Sequence, residues 1–418
     1  MLLFRGFSHR DFTFLWLAQA ISRTGDGIHT VALAWLVLQL TGSAAALGLV
    51  LAAELVPKVS LLLIGGALVD RLPKLPLMVG SDAVRAVVVG VIAWLVATDG
   101  LELGHLVGLA VIFGVVDALF SPAYSAVVPE LVPIADRPSA NALSQLAGRL
   151  AGVAGPALGA VLVAGGGMAA AFAIDALTFV VSAALLLIPL LSRRGAARPQ
   201  PRPAAKAEDL ARDEGPRPSI LDDVRDGFRT VLGMRWIATT IAVAGITNIT
   251  LVGPVEAAAP LLVQRNLGGD VAVLGMIGSL VGVGSVVGAL VLGSRRRLRH
   301  RGRLIYGPWI VNALAVAAFG LPIGVAGVAT AAFVVGLTET TLGLAWTSAV
   351  QDHVPDDRLG RVYSVDALGS YALIPVGVVV AGALSDVIGP SAVFIAGGLF
   401  SAATLAFVWA MPAIRSLD

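Results

Sequence analysis

Ionisable and polar residues inside an apolar stretch are the part of this sequence that could do chemistry. Within residues 14–40, which are otherwise mostly apolar, four polar residues are spaced by four, three and four positions: Gln19, Arg23, Asp26 and Thr30. This spacing places them on one face of a helix, and we expect that face to line a water-filled cavity. A charge inside a bilayer costs about 2.5–3.5 kcal/mol, so Asp26 is the first candidate for a group that takes up and releases a proton. The alternative is a static ion pair between Arg23 and Asp26 that supports the fold.

Three further acids of the first half extend this set, and two of them are also candidates for proton coupling. Glu54 precedes Lys58 by four residues, the favourable order for an intrahelical ion pair, so a structural pair is favoured there over proton transfer. Asp117 is expected within reach of Arg85 or Arg149, in an ion pair that gates a pathway, with proton coupling as its second role. A third acid, at position 175, stands alone.

The second half holds fewer intramembrane charges. Glu256 lies close to Pro254. It either faces a cationic substrate or is an acid at a helix break whose carboxylate is hydrogen-bonded within the protein. Asn248 and Glu339 are further candidates for a substrate cavity. Because most of the ionisable residues that lie inside apolar runs precede position 192, we expect proton coupling in the first half and more of an apolar substrate wall in the second. Aromatic residues that could contribute to that wall, or simply pack, are Trp309, Phe319, Phe333, Trp346 and Phe394.

Composition determines the class of protein that must position these groups. With 57% hydrophobic and 13% charged residues in 418, the chain has too little polar surface for a water-soluble globule and is predicted to be an integral membrane protein. Cysteine is absent, which excludes disulfides and sulfur-ligated metals; we expect no metal and no cofactor. The opening residues lack a cleavable signal pattern, so the first span is expected to be retained.

Twelve apolar runs reach the length of about 20 residues that a membrane-crossing helix needs. They lie at about 14–40, 46–69, 76–98, 104–126, 143–163, 169–191, 237–263, 271–293, 303–321, 325–348, 365–385 and 390–411. We number them spans 1–12. Residues 66–69 and 288–291 both read GALV, and the same offset of 222 residues aligns Asp26 with Asn248 and Asp117 with Glu339. The chain is therefore a tandem repeat, a common construction of secondary transporters.

Orientation and domain limits follow from the loops. Basic residues occupy the loops on the side of the N-terminus, and the loops on the other side hold only Arg265, so both termini are predicted to be cytoplasmic. The basic run 295–303 is then a retained loop that could touch anionic lipid, and not a nucleic-acid site. We expect a first six-helix bundle at 1–191, a cytoplasmic linker at 192–236 and a second bundle at 237–418.

The linker is predicted to contain one helix. Five prolines and mixed charges between 192 and 219 are typical of a disordered connection. After Ser219, a plausible N-cap, apolar residues recur at spacings of three, four and three: Leu221, Val224, Phe228 and Val231. This pattern predicts an amphipathic helix along the cytoplasmic surface, with coil as the alternative.

Several motifs together resemble the major facilitator superfamily. The turn after span 2, GGALVDRLPK, matches the family pattern G-x-x-x-D-R-x-x-K, and the likeness covers almost the whole chain. Asp82-x-x-Arg85, the opening DFTFLWLAQAISRTGD, FSPAYSAVVPELVP after span 4 and QDHVPDDRLGR resemble the branch of macrolide and enterobactin exporters. GVAGPALGA at 152–160 in span 5 is similar to the antiporter-associated motif of the superfamily. The resemblance implies two pseudo-symmetric six-helix bundles, the major facilitator fold.

The resemblance also implies a latch. In relatives, the aspartate of the turn faces the end of a helix from the other half, and the basic residues pair with nearby acids. Matching positions give Asp70 the first role and Arg71 and Lys74 the second; Asp82, Arg85 and Arg149 complete the expected gating set. The alternative is that these are solvated loop charges that fix topology. The sequence departs from the family at Pro73, where glycine is usual, and near Ala110, where many relatives carry an arginine.

Function follows from these features. The sequence has no phosphate loop for ATP and none of the usual protease or hydrolase motifs, so we expect a carrier driven by a gradient and not an enzyme. The favoured interpretation is a monomeric proton antiporter in a bacterial plasma membrane. It would export amphipathic small molecules, such as drugs and macrolide- or siderophore-like compounds, by alternating access. The alternative is a proton symporter that imports a small nutrient.

Overall fold

The computed structural model describes residues 2–194, 220–293, 300–355 and 358–415. Within these ranges the backbone alone is described for 2–3, 62–71, 193–194, 220–224, 293, 413 and 415. The described residues are nearly all helical and include no strand, which confirms the predicted all-α architecture. Ten described segments are long and apolar enough to cross a membrane. One of these ten segments contains both span 5 and span 6, which gives eleven spans. Span 1, the helix that carries the polar stripe, is not among the ten and is the twelfth.

The first six spans are joined by short connections. Spans 1–4 are the helices Arg10–Thr41, Ala44–Arg71, Lys74–Ala97 and Leu103–Leu131. Span 1 ends because Gly42 turns into the left-handed region with φ 66°, and its N–H donates to the carbonyl of Leu38 at 2.7 Å, a helix end that glycine adopts without steric cost. Spans 5 and 6 occupy the range Arg137–Arg194, which kinks at Gly167, where φ is 80° and ψ is 172°.

The second six spans include two interrupted helices. Span 7 consists of Arg235–Gly253, a π-helical turn at Pro254–Ala258, and Ala259–Asn266. Span 11 consists of Leu359–Tyr371 and Ile374–Ile388. The uninterrupted spans 8, 9, 10 and 12 are Val271–Gly293, Arg301–Phe319, Gly324–His353 and Pro390–Trp409. With twelve spans, both ends of the chain lie at one face, which we call the terminal face; the other is the far face.

Small residues bring the two halves together toward the far face. Span 2 begins and span 11 ends there, and a Cβ added at Gly48 would lie 2.4 Å from the carbonyl oxygen of Val378. Span 5 packs on span 8 in the same way, since a Cβ at Gly275 would lie 2.6 Å from the carbonyl oxygen of Pro156. These backbone approaches leave no room between the halves at these two seams.

The helix predicted in the linker is present as Ile220–Gly233. Val231 on this helix is buried, and Asp226 forms an ion pair of 2.5 Å with Arg361 at the start of span 11. The helix therefore lies against span 11 at the terminal face. The proposed N-cap, Ser219, lies outside the described residues.

Candidate functional site

A cavity of about 890 Å³ lies between the two halves. Its first-half wall comes from spans 1 and 5, and its second-half wall comes from spans 7 to 11. The lining includes Gln145 near the start of span 5 and Thr347 near the end of span 10, both toward the terminal face and both exposed. Because the halves are packed together toward the far face, this cavity is directed to the terminal face.

Four of the six residues predicted for a substrate cavity line this space: Arg23, Asn248, Glu256 and Glu339. The other two do not belong to its lining. Gln19 is only 4% exposed, and its Oε1 accepts no hydrogen bond from any residue that the structure describes. Thr30 is exposed, and its hydroxyl donates to the backbone carbonyl of Asp26 at 2.9 Å. The polar stripe of span 1 thus reaches the cavity through Arg23.

The acids of the second-half wall are accessible from the cavity. Glu256 projects from the π-helical turn Pro254–Ala258 of span 7, and Glu339 projects from span 10; both are exposed. Neither carboxylate has a hydrogen bond or an ion pair within the described part of the chain. Single π-helical turns occur often at functional sites. This one places an unpaired carboxylate where a bound molecule would meet it.

Aromatic and polar side chains complete the second-half wall. Trp309 and Trp346 line the cavity, and Trp346 Nε1 donates to Asp366 at 2.8 Å. By contrast, Phe319 and Phe394 are buried and stack on each other with their ring centroids 5.4 Å apart. Of the aromatics suggested by the sequence, the two tryptophans therefore reach the cavity, while this pair of phenylalanines packs in the core.

A buried cluster of charges lies in the first half. Arg85 of span 3 is 1% exposed and donates to Asp82 at 2.5 Å and to Asp117 at 3.3 Å. Its guanidinium lies over the rings of Phe120 and Phe179, at 4.3 and 4.7 Å from their centroids, where the ring quadrupoles attract it. Buried charges are tolerated when they are paired and hydrogen-bonded in this way.

Lys58 joins this cluster, although the sequence favours a pair with Glu54 on the same helix. The ammonium group of Lys58 is 2.5 Å from Asp117 Oδ2. Spans 2 and 4 touch at this level, because a Cβ at Gly114 would lie 2.1 Å from the carbonyl oxygen of Glu54. The close approach brings Asp117 within reach of the long lysine side chain. Glu54 itself has no ion pair within the described ranges.

Arg149 takes a different position from the one expected beside Asp117. Its Nη1 donates to the carbonyl of Ser285 at 3.0 Å and to the Thr340 hydroxyl at 3.4 Å. These partners belong to spans 8 and 10, so Arg149 connects span 5 of the first half to the second half at the cavity wall. Of the two arginines considered for Asp117, Arg85 is the one that reaches it.

The structure adds a histidine that the sequence reasoning missed. Nδ1 of His29 lies 3.0 Å from Oδ2 of Asp175, which is fully buried in span 6. The imidazole stacks on Phe113, with centroids 5.2 Å apart, and meets Phe172 edge-on. The position of His29 three residues after Asp26 could have placed it beside the polar stripe, but its partner lies 146 residues away in the chain.

Asp26 lies between these two groups of charges. It is partly exposed and makes no side-chain hydrogen bond or ion pair with any described residue, Arg23 included. Charges on Arg85, Asp117, Asp175 and His29 all act on it. The static Arg23–Asp26 pair considered from the sequence is therefore not formed, and Asp26 lies without a partner among the described residues in a field of several charges.

The turn after span 2 is described only in part. The side chains of Asp70 and Arg71 lie outside the description, whereas Lys74 forms an ion pair with Glu130 of span 4 at 2.6 Å. Lys74 thus pairs with a nearby acid, while the gating role that the resemblance implies for it stays a prediction. The latch assigned to Asp70 remains a prediction.

The motif GVAGPALGA forms a closely packed surface of span 5. Gly155 meets Gly27 of span 1, where an added Cβ would lie 2.8 Å from the other Cα. On the opposite side, a Cβ at Gly282 of span 8 would lie 2.5 Å from the carbonyl oxygen of Gly152. The small residues of the motif thus hold spans 1, 5 and 8 together, as expected for a stretch that permits close helix packing.

Comparisons with known sequences agree on one family. The family model described as transmembrane secretion effector matches residues 3–418. The multidrug efflux pump Tap of Mycobacterium tuberculosis is 29% identical over 428 residues, which cover 98% of this chain and 96% of that protein. Macrolide efflux protein A of Streptococcus pyogenes is 22% identical, with coverage of 92% and 91%.

Solved structures show the same architecture. The nucleoside transporter NupG superposes with a TM-score of 0.66 over 96% of this chain and 98% of its own, at 13% identity. A POT family transporter in complex with 5-aminolevulinic acid gives a TM-score of 0.70 over 96% and 95%, also at 13% identity. These similarities confirm the twelve-span fold of two six-helix bundles.

Proposed function

The chain belongs to the transmembrane secretion effector family of the major facilitator superfamily, and from this premise we propose that it exports amphipathic small molecules by proton antiport. Relatives named as multidrug and macrolide efflux proteins cover nearly its whole length. The observation that carries the proposal is the cavity between the halves, whose wall combines two tryptophans with unpaired carboxylates. Such a surface suits a molecule with an apolar body and a polar or cationic group.

The distribution of charge in the cavity favours substrates that carry a cation. Glu256 and Glu339 face the space from the second half, and Arg23 and Arg149 border it on the first. A cationic group would therefore approach the unpaired acids of spans 7 and 10, with Trp309 beside its apolar part. A hydrogen bond between charged groups in a partly desolvated site contributes about 1.5–3 kcal/mol.

Proton coupling is assigned to the first half. Asp26 is partly exposed and supplies a carboxylate with no partner among the described residues, and the His29–Asp175 pair lies one helical turn away. Glu54 and Asp117 remain the other candidates; Asp117 is already engaged by Lys58 and Arg85. Since Arg23 lines the cavity one turn before Asp26, loss or gain of a proton on Asp26 changes the electrostatic field at the cavity wall.

Transport then proceeds by alternating access. The present conformation, packed at the far face and open toward the terminal face, receives substrate from the side of the termini. After the halves rock, the cavity faces the far side, a proton neutralises Asp26, and substrate is released. Return of the protonated carrier delivers the proton to the terminal face, where Asp26 loses it and the cavity can bind substrate again.

The proposed cycle requires a defined orientation of the chain in the membrane. Both termini are cytoplasmic in a bacterial plasma membrane, the carrier is a monomer surrounded by lipid, and it catalyses no covalent reaction. The two bundles occupy 1–191 and 237–418, with the linker 192–236 on the cytoplasmic side. A charge exposed to lipid is energetically costly, and the ionisable groups of the first half are placed in the interior of the bundle, as this cost requires.

Efflux measurements test this function. Cells that express the protein are loaded with macrolides, tetracyclines, fluorescent dyes or siderophores, and retention is followed with and without an uncoupler. We expect lowered retention of at least one cationic amphiphile, abolished by the uncoupler. Purified protein in liposomes with an imposed pH gradient should show the same flux. Gradient-driven uptake of a nutrient with no efflux of any compound would favour the symport alternative.

A further inference from the structure

A carboxylate at the end of span 11 caps the start of span 2. Asp386 accepts hydrogen bonds from the Ser43 hydroxyl at 2.5 Å, from the N–H of Ala44 at 2.9 Å and from the N–H of Ala45 at 3.0 Å. The Ser43 hydroxyl in turn accepts from the N–H of Ala46 at 3.1 Å. One side chain of the second half therefore satisfies the first turn of a helix in the first half.

The chemistry of this contact is that of a helix N-cap supplied from another helix. The first N–H groups of a helix have no intrahelical acceptor, and the partial positive charge there favours an anion. Span 2 carries no acid in its first turn, and its own Ser43 hydroxyl accepts only from the N–H of Ala46, so Asp386 supplies the anion and accepts from the two N–H groups before it. Arg265, on the same face, also acts on this carboxylate.

The backbone beneath the cap is tightly packed. A Cβ at Gly382, one turn before Asp386, would lie 2.4 Å from the carbonyl oxygen of Ala44. One level deeper, Ala52 of span 2, Ala257 of span 7 and Val378 of span 11 form a small buried cluster. The cap thus sits at the outer end of a seam that closes the far face.

The sequence around Asp386 repeats that of the turn after span 2. Residues 66–70 read GALVD and residues 382–386 read GALSD. Each stretch ends one of the two helices that pack against each other, and these helices run in opposite directions, so one aspartate lies at each face of the membrane. Asp386 meets the first turn of span 2; Asp70, at the other end of span 2, lies on the face where span 11 begins.

We propose that Asp386 is a gating residue that latches the far face closed, and that the two GALxD stretches are one device used at both faces of the span 2–span 11 pair. The latch at Asp386 is formed in the conformation described here and must break when the far face opens. The latch at Asp70 forms when the terminal face closes. This inference rests on the alternating access proposed above, but it requires neither proton coupling nor a particular substrate.

Thiol labelling tests the latch directly, because the chain has no cysteine. Ala52 is buried in the seam, so the variant Ala52→Cys reports opening of the far face through its rate of reaction with a maleimide that does not cross membranes. Removal of a capping side chain changes a helix equilibrium by roughly two- to thirtyfold. In this background we expect Asp386→Ala to raise the labelling rate by about that factor and Asp386→Asn, which keeps the shape, to raise it less.

Matched variants make the result specific. Asp270 is also at the far face, but it caps its own helix through the N–H of Ala272 at 3.0 Å, so Asp270→Ala should leave the labelling rate of the Ala52→Cys background unchanged. Asp70→Ala should slow the labelling, because it destabilises the opposite state. Gly382→Leu, which forces span 11 away from span 2, verifies that the assay detects opening.

Unchanged labelling in Asp386→Ala, with increased labelling in Gly382→Leu, would overturn the latch. Equal increases in Asp386→Ala and Asp270→Ala would also overturn it, since loss of any cap would then suffice. Labelling needs no substrate and no gradient, so its outcome is separate from that of the efflux experiments. A protein that fails in every efflux assay could still show the latch, and a protein that exports substrate could lack it.

Discussion

Lys58 of span 2 and Asp117 of span 4 form an ion pair with 2.5 Å between Nζ and Oδ2, although Glu54 lies one helical turn before Lys58. The pair joins two helices and connects Lys58 to Arg85 through the shared carboxylate. Charges from spans 2, 3 and 4 thereby form one connected group beside Asp26. A change of protonation at one member is felt by the others, because the dielectric screening inside a helix bundle is weak.

Removal of Lys58 should destabilise the fold. In Lys58→Met, Asp117 keeps only its longer contact to Arg85, and we expect the free energy of unfolding to fall by about 1–3 kcal/mol, between the values for exposed and buried pairs. Thermal unfolding in detergent measures it. The double variant Lys58→Met/Asp117→Asn should be more stable than Lys58→Met alone. Glu54→Gln is the matched control, and a loss as large as that of Lys58→Met would favour the intrahelical pair.

Replacement of Asp26 separates coupling from binding. Asp26→Asn keeps the shape and polarity of the side chain but cannot titrate, so gradient-driven efflux should be abolished while substrate binding is retained. Flux in liposomes and equilibrium binding by the same preparation provide the two measurements. Thr30→Ala, on the same face of span 1, serves as a control that should transport. Uphill transport by Asp26→Asn would show that the coupling proton is carried by another group, namely Glu54, Asp117 or the His29–Asp175 pair.

The His29–Asp175 pair should affect coupling more than folding. With Asp175 ionised, Nδ1 of His29 donates to it, and the second ring nitrogen bonds no described residue. His29→Gln can keep a hydrogen bond to Asp175 but cannot hold a second proton. We therefore expect folded protein that binds substrate, with proton-driven efflux reduced about tenfold or more, the size of an effect of 1.4 kcal/mol. An unchanged pH profile of efflux in His29→Gln would assign the pair a purely structural role.

Glu256 should discriminate substrates by charge. Glu256→Gln removes the carboxylate that the π-helical turn presents to the cavity, and binding of a cationic substrate should weaken by about ten- to a hundredfold, as expected for loss of a charge-assisted hydrogen bond. A neutral analogue of similar shape should bind as before, which dye displacement can measure. Glu102→Gln, at the start of span 4 and outside the cavity, is the control. Equal losses for both analogues would show that Glu256 supports the fold of span 7.

The sequence predicts the helices and part of the cavity well, for a physical reason. Length, apolar character and helical spacing are local properties, so the twelve spans, the linker helix and the inward direction of Arg23 follow from them. Partners far apart in the chain do not. Whether Lys58 bonds Glu54 or Asp117 depends on how closely spans 2 and 4 approach at Gly114.

Other contacts had weaker signals. His29 lies next to the polar stripe, but only the fold brings Asp175 to it. The GALSD stretch before Gly389 repeats the turn after span 2, yet its meaning emerges only when Asp386 is seen on the first turn of span 2. The π-helical turn at Pro254–Ala258 is another such case, since Pro254 marks a break without showing which way Glu256 points.

The sign of the linkage between proton and substrate tests the central claim most directly. An antiporter binds the two alternately, so substrate added to purified protein in weak buffer should release protons, detected by a pH indicator, and should bind more weakly as the pH falls. The release should vanish in Asp26→Asn if that carboxylate is the coupling group. Proton uptake on substrate binding would contradict the antiport account and favour a symporter that binds both together.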